Sequence, residues 1–229
     1  MDCTQQAVLY SPREASALDE SARTLYALAE ALDQRDGFTA GHSERLACLS
    51  VSLGVALGLE DASLQILYRS GYLHDIGKVG IPDSILLKAG ALNETEWCKM
   101  RSHPAQGESI CRHMPSLAPV LPIIRHHHER WDGSGYPDGL RGEQIPLLAR
   151  VLQVADIYDA LTNARPYKPV FSCEDALNIL KHETERGWRD PQIVDTFLRL
   201  HPAWFAQTAD PELNTMRQGL QRLAAQTIS

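Results

Sequence analysis

The sequence lacks the features that mark membrane-spanning, secreted and disulfide-bonded proteins. It contains no uncharged apolar run of about 18 residues, the length that a transmembrane helix needs. The first residues, MDCTQQAVLYSPREAS, lack the basic start and apolar core of a signal peptide. The five cysteines are scattered and never spaced as CxxC, which is typical of reduced thiols. We therefore expect a cytoplasmic protein.

A basic tract of the kind that binds a nucleic-acid backbone is also missing. The formal net charge is −7, so neither DNA nor RNA is expected as a partner. An acidic chain can still bind a phosphorylated small molecule where positive charge is supplied locally, and bound metal ions are one source of such charge. The apolar fraction of 44% and the charged fraction of 22% are those of an ordinary globular protein.

Alternating apolar and polar positions, the pattern of a β-strand, are nearly absent. Apolar residues at helical spacing instead recur along most of the chain, and glycine or proline separates the segments. The sequence therefore predicts an all-α fold. The predicted helices cover residues 16–36, 42–58, 60–75, 93–103, 104–114, 117–129, 146–161, 172–187, 191–200 and 210–225.

Residues 130–145 form the one long irregular segment of the predicted domain, and they are rich in glycine and proline. Long loops in compact helical domains are often functional. Within this segment Asp132 and Asp138 are interpreted as turn-forming residues, and Trp131 as a packing residue.

Three parts are predicted along the chain. Residues 1–15 are polar and are interpreted as an N-terminal tail or linker. Residues 16–205 form the helical domain with its leading helix, and residues 206–229 form a C-terminal helical extension. This pattern is compatible with a chain that lacks an N-terminal sensory module and with one separated from such a module.

Histidines and aspartates recur in a series that favours a metal site. The series runs His42, His74-Asp75, His103, His126-His127-His128 and Asp156. Imidazole and carboxylate together are suitable ligands for divalent metal ions. One such histidine alone would usually be a core or surface residue, but six of them interleaved with two aspartates favour metal binding.

Ligands on adjacent residues bear on the number of ions. Neighbouring residues of an α-helix point about 100° apart, so two of them rarely hold one ion unless they lie at a helix end. This favours two ions that share one carboxylate. Asp156 lies in the apolar run ARVLQVADIYDAL, so its carboxylate needs a partner, either a metal ion or an arginine such as Arg150 or Arg165.

Several stretches resemble the HD-GYP family, a branch of the HD-domain metal-dependent phosphohydrolases. The likeness extends over residues 35–200 and implies an HD-domain helical bundle around a two-metal site, with a long loop that carries the GYP triplet. The matching stretches include RDGFTAGHSERLA (35–47), GYLHDIGKVGIPD (71–83), MRSHPAQGESI (100–110), HHHERWDGSGYPDG (126–139), VADIYDALTNARPYK (154–168) and the weaker GWRDPQIVDTF (187–197).

The resemblance implies seven metal ligands in two sets that share one carboxylate. One ion would be held by His42, His74, Asp75 and Asp156. Asp75 would bridge to a second ion, whose other ligands are His103, His127 and His128. His126 lies one position ahead of the pair that the family uses, and it is interpreted as a surface residue or as a hydrogen-bond donor near the site.

The resemblance also implies residues that contact the substrate. Lys78 matches a lysine beside the metals, where it could stabilise negative charge on a phosphate oxygen or on the departing oxygen. Tyr136 is either a ligand contact or a packing residue, and Arg165 either contacts phosphate or pairs with Asp156 or Asp159. The implied substrate-binding residues are Gly135, Tyr136, Pro137, Arg165 and Lys168.

One position departs from the family pattern. Some members carry a glutamate four residues before the first ligand histidine and hold a third metal ion, whereas Phe38 stands at that position here. Phenylalanine cannot ligate a metal, so we expect two divalent ions per chain. Iron or manganese is expected first, and nickel and other ions also suit imidazole and carboxylate ligands.

The activity implied by the resemblance is hydrolysis of cyclic di-GMP to pGpG, GMP or both by a metal-dependent phosphodiesterase. Two alternatives stay open: a hydrolase of another nucleotide, such as a mixed cyclic dinucleotide, and a non-catalytic module that senses cyclic di-GMP or binds a protein. The complete ligand set favours catalysis. The expected partners are cyclic di-GMP, diguanylate cyclase-type or other signalling proteins and a second copy of the chain, with no membrane, DNA or RNA.

Overall fold

A computed structural model describes residues 12–35, 41–163 and 170–205, with side chains for residues 24–35, 41–163 and 170–200. These ranges contain α-helices and short 3₁₀ helices but no β-strand, so the predicted all-α class is confirmed. No helix within them is long and apolar enough to cross a lipid bilayer.

Most of the helices follow one another with short connections, but the long irregular segment 127–141 separates the helix that ends at His126 from the next helical turn. The α-helices are α1 (Pro12–Arg35), α2 (His42–Ala56), α3 (Asp61–Leu73), α4 (Asp83–Leu86), α5 (Glu94–Met100), α6 (His103–Cys111), α7 (Leu121–His126), α8 (Leu147–Thr162), α9 (Cys173–Glu185) and α10 (Pro191–Phe205). The 3₁₀ helices are Ile76–Gly80, Pro115–Val120 and Gly142–Gln144.

The start of α5 follows from its sequence. The side chain of Asn93 accepts a hydrogen bond from the backbone N–H of Glu96 at 2.9 Å, and the Glu96 carboxylate accepts one from the backbone N–H of Asn93 at 2.8 Å. This reciprocal pair is a capping box, which satisfies two N–H groups that a helix start would otherwise leave unpaired. The capping box predicted at this position is confirmed.

The prediction of one helix over residues 117–129 was wrong. The chain there forms the 3₁₀ helix Pro115–Val120 and then the short helix α7, which ends at His126. Pro119 and Pro122 explain the difference, because proline lacks a backbone N–H and its ring opposes a continuous α-helix. As a result His127 and His128 lie just beyond regular helix, where adjacent side chains can converge.

The main apolar core brings the start of α2 beside the end of α3. The two helices are joined by the short segment 57–60 and so run antiparallel. At Gly71 a Cβ atom would lie 2.6 Å from the Cα of Ala47, so the two backbones touch. Around this contact, helices α2, α3, α8, α9 and α10 bury Leu53, Leu67, Val154, Leu180 and Phe197.

Candidate metal centre

Seven histidine and aspartate side chains converge in two groups. In each group one ligand atom per residue lies within 4.8 Å of the others. The first group, at the ends of α2 and α3 and within α8, is His42, His74 and Asp156. The second group is Asp75, His103, His127 and His128. The structure thus brings together all seven residues that the sequence marked as candidate ligands.

Asp75 lies between the two groups. Its Oδ2 is 3.2 Å from Nε2 of His74 in the first group. Its Oδ1 is 3.0 Å from Nε2 of His103 and 3.7 Å from Nε2 of His127 in the second group. One carboxylate therefore presents one oxygen to each group, which is the arrangement that a bridging ligand requires.

Four of the histidines use the same nitrogen for support. Nδ1 of His74, His103 and His127 lies 3.1, 2.9 and 2.8 Å from the backbone carbonyl oxygen three residues earlier. Nδ1 of His42 lies 2.7 Å from the Asp159 carboxylate. Since carbonyl and carboxylate oxygens only accept hydrogen bonds, Nδ1 is the donor, and each ring directs an Nε2 lone pair to the site when it is neutral.

The Nε2 atoms are arranged for a cation. Nε2 of His103 and Nε2 of His127 lie 3.4 Å apart, and both carry lone pairs when the rings are neutral. Nε2 of His74 is buried and makes no hydrogen bond of acceptable geometry. A buried polar atom without such a partner is costly, and lone pairs that face each other repel. These donors fit divalent metal ions, whose outer hydrogen-bond partners typically orient the rings in this way.

Burial and charge affect the two groups differently. Burial opposes a charged imidazole at His74, but the Asp75 carboxylate outweighs it and raises the pKa of His74 to about 9. Burial lowers the pKa of His127, and burial with the neighbouring His127 lowers that of His128. Burial alone would raise the pKa of Asp75, yet Lys78 and His74 hold it well below its ordinary value. A metal ion would displace the proton from His74.

Lys78 lies at the centre rather than on the surface. Its Nζ is 2.8 Å from Oδ2 of Asp75, and the side chain is only 14% exposed. The 3₁₀ helix Ile76–Gly80 carries it, one turn after the Asp75 ligand. This position leaves an ammonium group beside Oδ2 of Asp75, where it would also be close to a phosphate bound at the centre.

Glycine, which has no side chain, allows the backbone segments that carry the second group to touch. A Cβ atom at Gly77 would lie 1.9 Å from the carbonyl oxygen of His103 and 2.5 Å from the backbone N of Gly107. Such distances are far shorter than van der Waals contact. The 3₁₀ helix Ile76–Gly80 therefore packs directly on the backbone of α6.

The GYP triplet forms a wall of the centre. The Tyr136 ring is stacked on His128, with ring centroids 4.8 Å apart and planes 27° apart. A Cβ atom at Gly135 would lie 2.2 Å from the backbone N of Arg130, so only glycine fits there. The bond between Tyr136 and Pro137 is cis. Burial raises the pKa of the Tyr136 hydroxyl, which therefore stays protonated near neutral pH.

A buried glutamate that the sequence analysis left without a role holds this loop. Glu129 is 0% exposed. Its carboxylate accepts hydrogen bonds from the backbone N–H groups of Asp138 at 2.7 Å and Leu140 at 3.2 Å. Gln153 of α8 donates to the carbonyl oxygens of Glu129 at 2.5 Å and His127 at 2.9 Å. The signal in the sequence was a glutamate placed directly after the ligand pair.

Asp138 anchors the outer side of the loop. Its carboxylate accepts hydrogen bonds from Nε of Arg125 at 2.7 Å and from Nε2 of His126 at 2.9 Å. His126 thus supports the loop. It belongs to neither of the two metal groups, and the sequence analysis did not count it among the ligands. Asp132 accepts a hydrogen bond from the backbone N–H of Ser134 at 2.9 Å, so its predicted turn-forming role is confirmed.

Comparison with known proteins places this geometry in a family. Residues 26–193 match the HD domain family, which is most of the chain. This chain belongs to the HD domain family. The resemblance to the HD-GYP type predicted from the sequence is confirmed by this match and by the relatives of this HD domain.

The curated relatives are bacterial phosphodiesterases. This HD domain is 42% identical over 197 residues to the "Cyclic di-GMP phosphodiesterase response regulator RpfG" of Xanthomonas campestris, which covers 85% of the chain and 51% of that protein. It is 38% identical over 172 residues to the "3'3'-cGAMP-specific phosphodiesterase 1" of Vibrio cholerae, which covers 75% of the chain and 40% of that protein. The chain spans about half or less of the length of these relatives.

Solved structures share the fold. A cyclic GMP-AMP-specific phosphodiesterase of V. cholerae matches with a TM-score of 0.64 at 21% identity, over 90% of this chain and 54% of the other. The PgpH HD domain of L. monocytogenes in complex with cyclic-di-AMP matches with a TM-score of 0.54 at 17% identity, over 80% of this chain and 98% of the other. At these identities the likeness supports the fold of the HD domain.

Three positions singled out in the sequence lie outside the described residues: Arg165, Lys168 and Phe38. Of the arginines considered for Asp156, Arg150 pairs instead with Asp190 at 2.5 Å.

Proposed function

We propose that this HD domain is a metal-dependent phosphodiesterase that hydrolyses cyclic di-GMP, with two divalent ions per chain. The observation that carries the proposal is the Asp75 carboxylate, which presents one oxygen to each of two histidine-rich groups. Relatives named as cyclic di-GMP phosphodiesterases support the substrate class. The ligands are proposed to be the seven residues of the two groups, with Asp75 shared.

Iron or manganese is the metal that we propose for the two positions. Imidazole nitrogen and carboxylate oxygen suit both, and nickel is also compatible with them. When bound, two such ions supply positive charge for the phosphate and lower the pKa of a water molecule, which becomes the nucleophile. The absence of cysteine among the seven candidate ligands is consistent with this choice of ion.

The residues of the chain would orient and stabilise the reaction. Water attacks phosphorus in line with the bond to the sugar 3′ oxygen, a new P–O bond forms, and the P–O3′ bond breaks. Lys78, beside Asp75, can donate hydrogen bonds to a phosphate oxygen or to the departing oxygen, where negative charge develops. The proton lost by the water finally reaches the departing oxygen. One cut gives linear pGpG, and a second cut gives GMP.

Tyr136 is proposed to contact the substrate from the loop. Its ring covers His128, and its protonated hydroxyl can donate a hydrogen bond to phosphate. Gly135 and Pro137 shape the wall on which it stands. Arg165 and Lys168, which lie outside the described residues, remain predicted phosphate or base contacts.

A second substrate, 3′3′-cGAMP, is proposed because relatives of similar identity carry that name. Three of them, at 38%, 38% and 37% identity, are named as specific for this cyclic dinucleotide. The cytoplasmic location, the signalling-protein partners and the homodimer stay predictions.

Turnover with defined metal content tests the proposal. The purified protein is loaded separately with iron, manganese or nickel and incubated with cyclic di-GMP or 3′3′-cGAMP, and the products are resolved by chromatography. We expect pGpG or GMP, with about two ions per chain by elemental analysis. Intact cyclic di-GMP and 3′3′-cGAMP in a protein that carries two ions would contradict it.

A further inference from the structure

A cleft of about 640 Å³ opens beside the second metal group. This volume is within the range of sites that bind small molecules, about 300–1,000 Å³. Its walls are formed by α5, by the residues that directly follow α5 and by the GYP triplet. The cleft is lined by Glu94, Trp97, Cys98, Arg101, Ser102, Tyr136 and Pro137.

Three of the lining residues lie along one stripe of a short, firmly capped helix. Glu94, Trp97 and Arg101 are three and four residues apart, so their side chains leave the same face of α5 and its C-cap. The capping box fixes the first turn of this helix. The stripe therefore presents a carboxylate, an indole and a guanidinium in a fixed order.

The guanidinium of Arg101 lies between two aromatic rings. Its Cζ is 5.6 Å from the ring centroid of Trp97 and 5.6 Å from that of Tyr136. Among the described residues Arg101 has no carboxylate partner, so its N–H groups can bind a ligand. Trp97 is 45% exposed, which is a large apolar surface for a residue beside a charged centre. A planar ligand with hydrogen-bonding edges would fit between these groups.

The cleft is continuous with the metal centre. Tyr136 lines the cleft and is also stacked on His128 of the second group. Ser102 lines the cleft and directly precedes His103 of the same group. A nucleotide whose phosphate lay at the second group could therefore place its base next to Trp97 and Arg101.

We propose that this cleft is a nucleobase site that selects guanine over adenine, an inference that rests on the proposed hydrolysis of a cyclic dinucleotide. Guanine presents two acceptors, O6 and N7, to which an arginine fork donates in a bidentate manner. Its adjacent Watson–Crick edge presents the N1–H and N2–H₂ donors, which a carboxylate such as Glu94 accepts. The Trp97 indole supplies the stacking surface, since every base has a flat aromatic face.

Adenine is rejected by the same two side chains. Its N6 amino group is a donor that would face the donors of Arg101, and its N1 is an acceptor that would face the Glu94 carboxylate. Sites that leave buried or facing polar groups unpaired discriminate far more strongly than sites that differ only in shape. Glu94 and Arg101 therefore set the base preference, whereas Trp97 sets the affinity for both bases.

Binding of GMP and AMP separates these roles. Both nucleotides carry the same ribose and phosphate, so the ratio of their dissociation constants isolates the base. The ratio is measured by titration calorimetry on the metal-loaded protein and on Glu94→Gln, Arg101→Lys and Trp97→Leu. The matched controls are Glu174→Gln and Arg112→Lys, exposed residues that do not line the cleft. Metal content and thermal melting confirm that each variant is folded.

The wild type is expected to bind GMP about 10-fold to 100-fold tighter than AMP. Glu94→Gln and Arg101→Lys should each reduce this preference about 10-fold or more, and the two controls should keep it. Trp97→Leu should weaken GMP and AMP about equally. Equal binding of GMP and AMP by the wild type, or a preference that survives both Glu94→Gln and Arg101→Lys, overturns the proposal.

A separate readout on the wild type tests the proposed function. Bis(p-nitrophenyl) phosphate carries no base, so its hydrolysis reports on the metal centre alone. A guanine preference in a protein that hydrolyses neither this compound nor cyclic di-GMP would refute the phosphodiesterase and leave the base site supported. Hydrolysis of both compounds without a guanine preference would support the phosphodiesterase and refute the base site.

Discussion

The two metal groups are held in place by different means. The first group, His42, His74 and Asp156, lies on or at the ends of α2, α3 and α8, which are 15, 13 and 16 residues long and share the main apolar core. The second group lies on short helices and turns. Its segments are fixed by backbone contact at Gly77, by hydrogen bonds that the Glu129 carboxylate accepts and by hydrogen bonds that the Gln153 amide donates.

This difference has consequences for robustness. A long helix in a common core positions its ligand through many small packing contacts, so no single polar group decides the geometry. A ligand on a turn depends on a few specific hydrogen bonds, and the loss of one leaves buried polar groups unpaired. The second group is therefore expected to be more sensitive to single substitutions away from its ligands, and the following experiments test that expectation.

Substitution of Asp75 should have the largest effect, because it serves both groups. We expect Asp75→Ala to lose both ions and to lower turnover by more than about 100-fold. This loss exceeds the roughly 10-fold to 100-fold that is typical when only a hydrogen-bond partner of a ligand is removed. His74→Ala should mainly empty the first group. Elemental analysis and turnover of cyclic di-GMP measure these losses, with His182→Ala on the exposed face of α9 as the control. Unchanged turnover in both Asp75→Ala and His74→Ala would contradict a two-metal mechanism.

Glu129→Gln should separate the groups most clearly. The amide retains one acceptor but turns an N–H₂ group towards a backbone N–H, so we expect a loss of about 1.5–3 kcal/mol in the free energy of unfolding. Turnover should fall about 10-fold to 100-fold, with metal lost first from the second group. Denaturant unfolding and metal titration measure both changes. Glu143→Gln, an exposed position in the same part of the chain, should match the wild type.

Asp159→Asn is the corresponding change behind the first group. The asparagine oxygen can still accept from Nδ1 of His42, but the charge that also pairs with Arg45 is lost. We expect metal affinity at the first group to fall about 10-fold, the lower end for an outer partner, with the second group unaffected. Competition with a chromophoric chelator measures this. A larger loss here than in Glu129→Gln would reverse the comparison between the groups.

Asp138→Asn should have the smallest effect, because the carboxylate is partly exposed. Its pKa is lowered to about 2, first by the hydrogen bond from Arg125 and also by that from His126, against an unfolded value of 3.8. A depressed folded pKa gives stability that is present above about pH 4 and is lost as the pH falls towards 2. We expect less than about 1 kcal/mol between wild type and variant at neutral pH. Urea unfolding from pH 7 to pH 3 should show this difference shrinking.

The helices and the ligand positions could be predicted from the sequence because both depend on local patterns. Apolar spacing marked α2, α3 and α8, and the histidine and aspartate series marked all seven members of the two groups. The supporting contacts could not be predicted in the same way. Glu129 bonds to residues nine and eleven positions further on, and Asp159 bonds to His42 from 117 positions away.

The broken helix over residues 117–129 shows a different reason for failure. Its apolar spacing favours a continuous helix, but the prolines at 119 and 122 outweigh that pattern. The cleft beside Trp97 was also missed, because its walls come from α5 and from a loop about forty residues later, and only the fold brings them together.

The contact at Gly77 has a mechanical consequence for the choice of metal. Because the 3₁₀ helix Ile76–Gly80 rests on the backbone of α6, we expect Asp75 and His103 to move together. We therefore expect an ion of larger radius to separate these two ligands less readily than the others. We expect the strain of exchanging one metal for another to be taken up instead by His127 and His128 on their turn, so the position of the GYP loop would depend on which ion is bound.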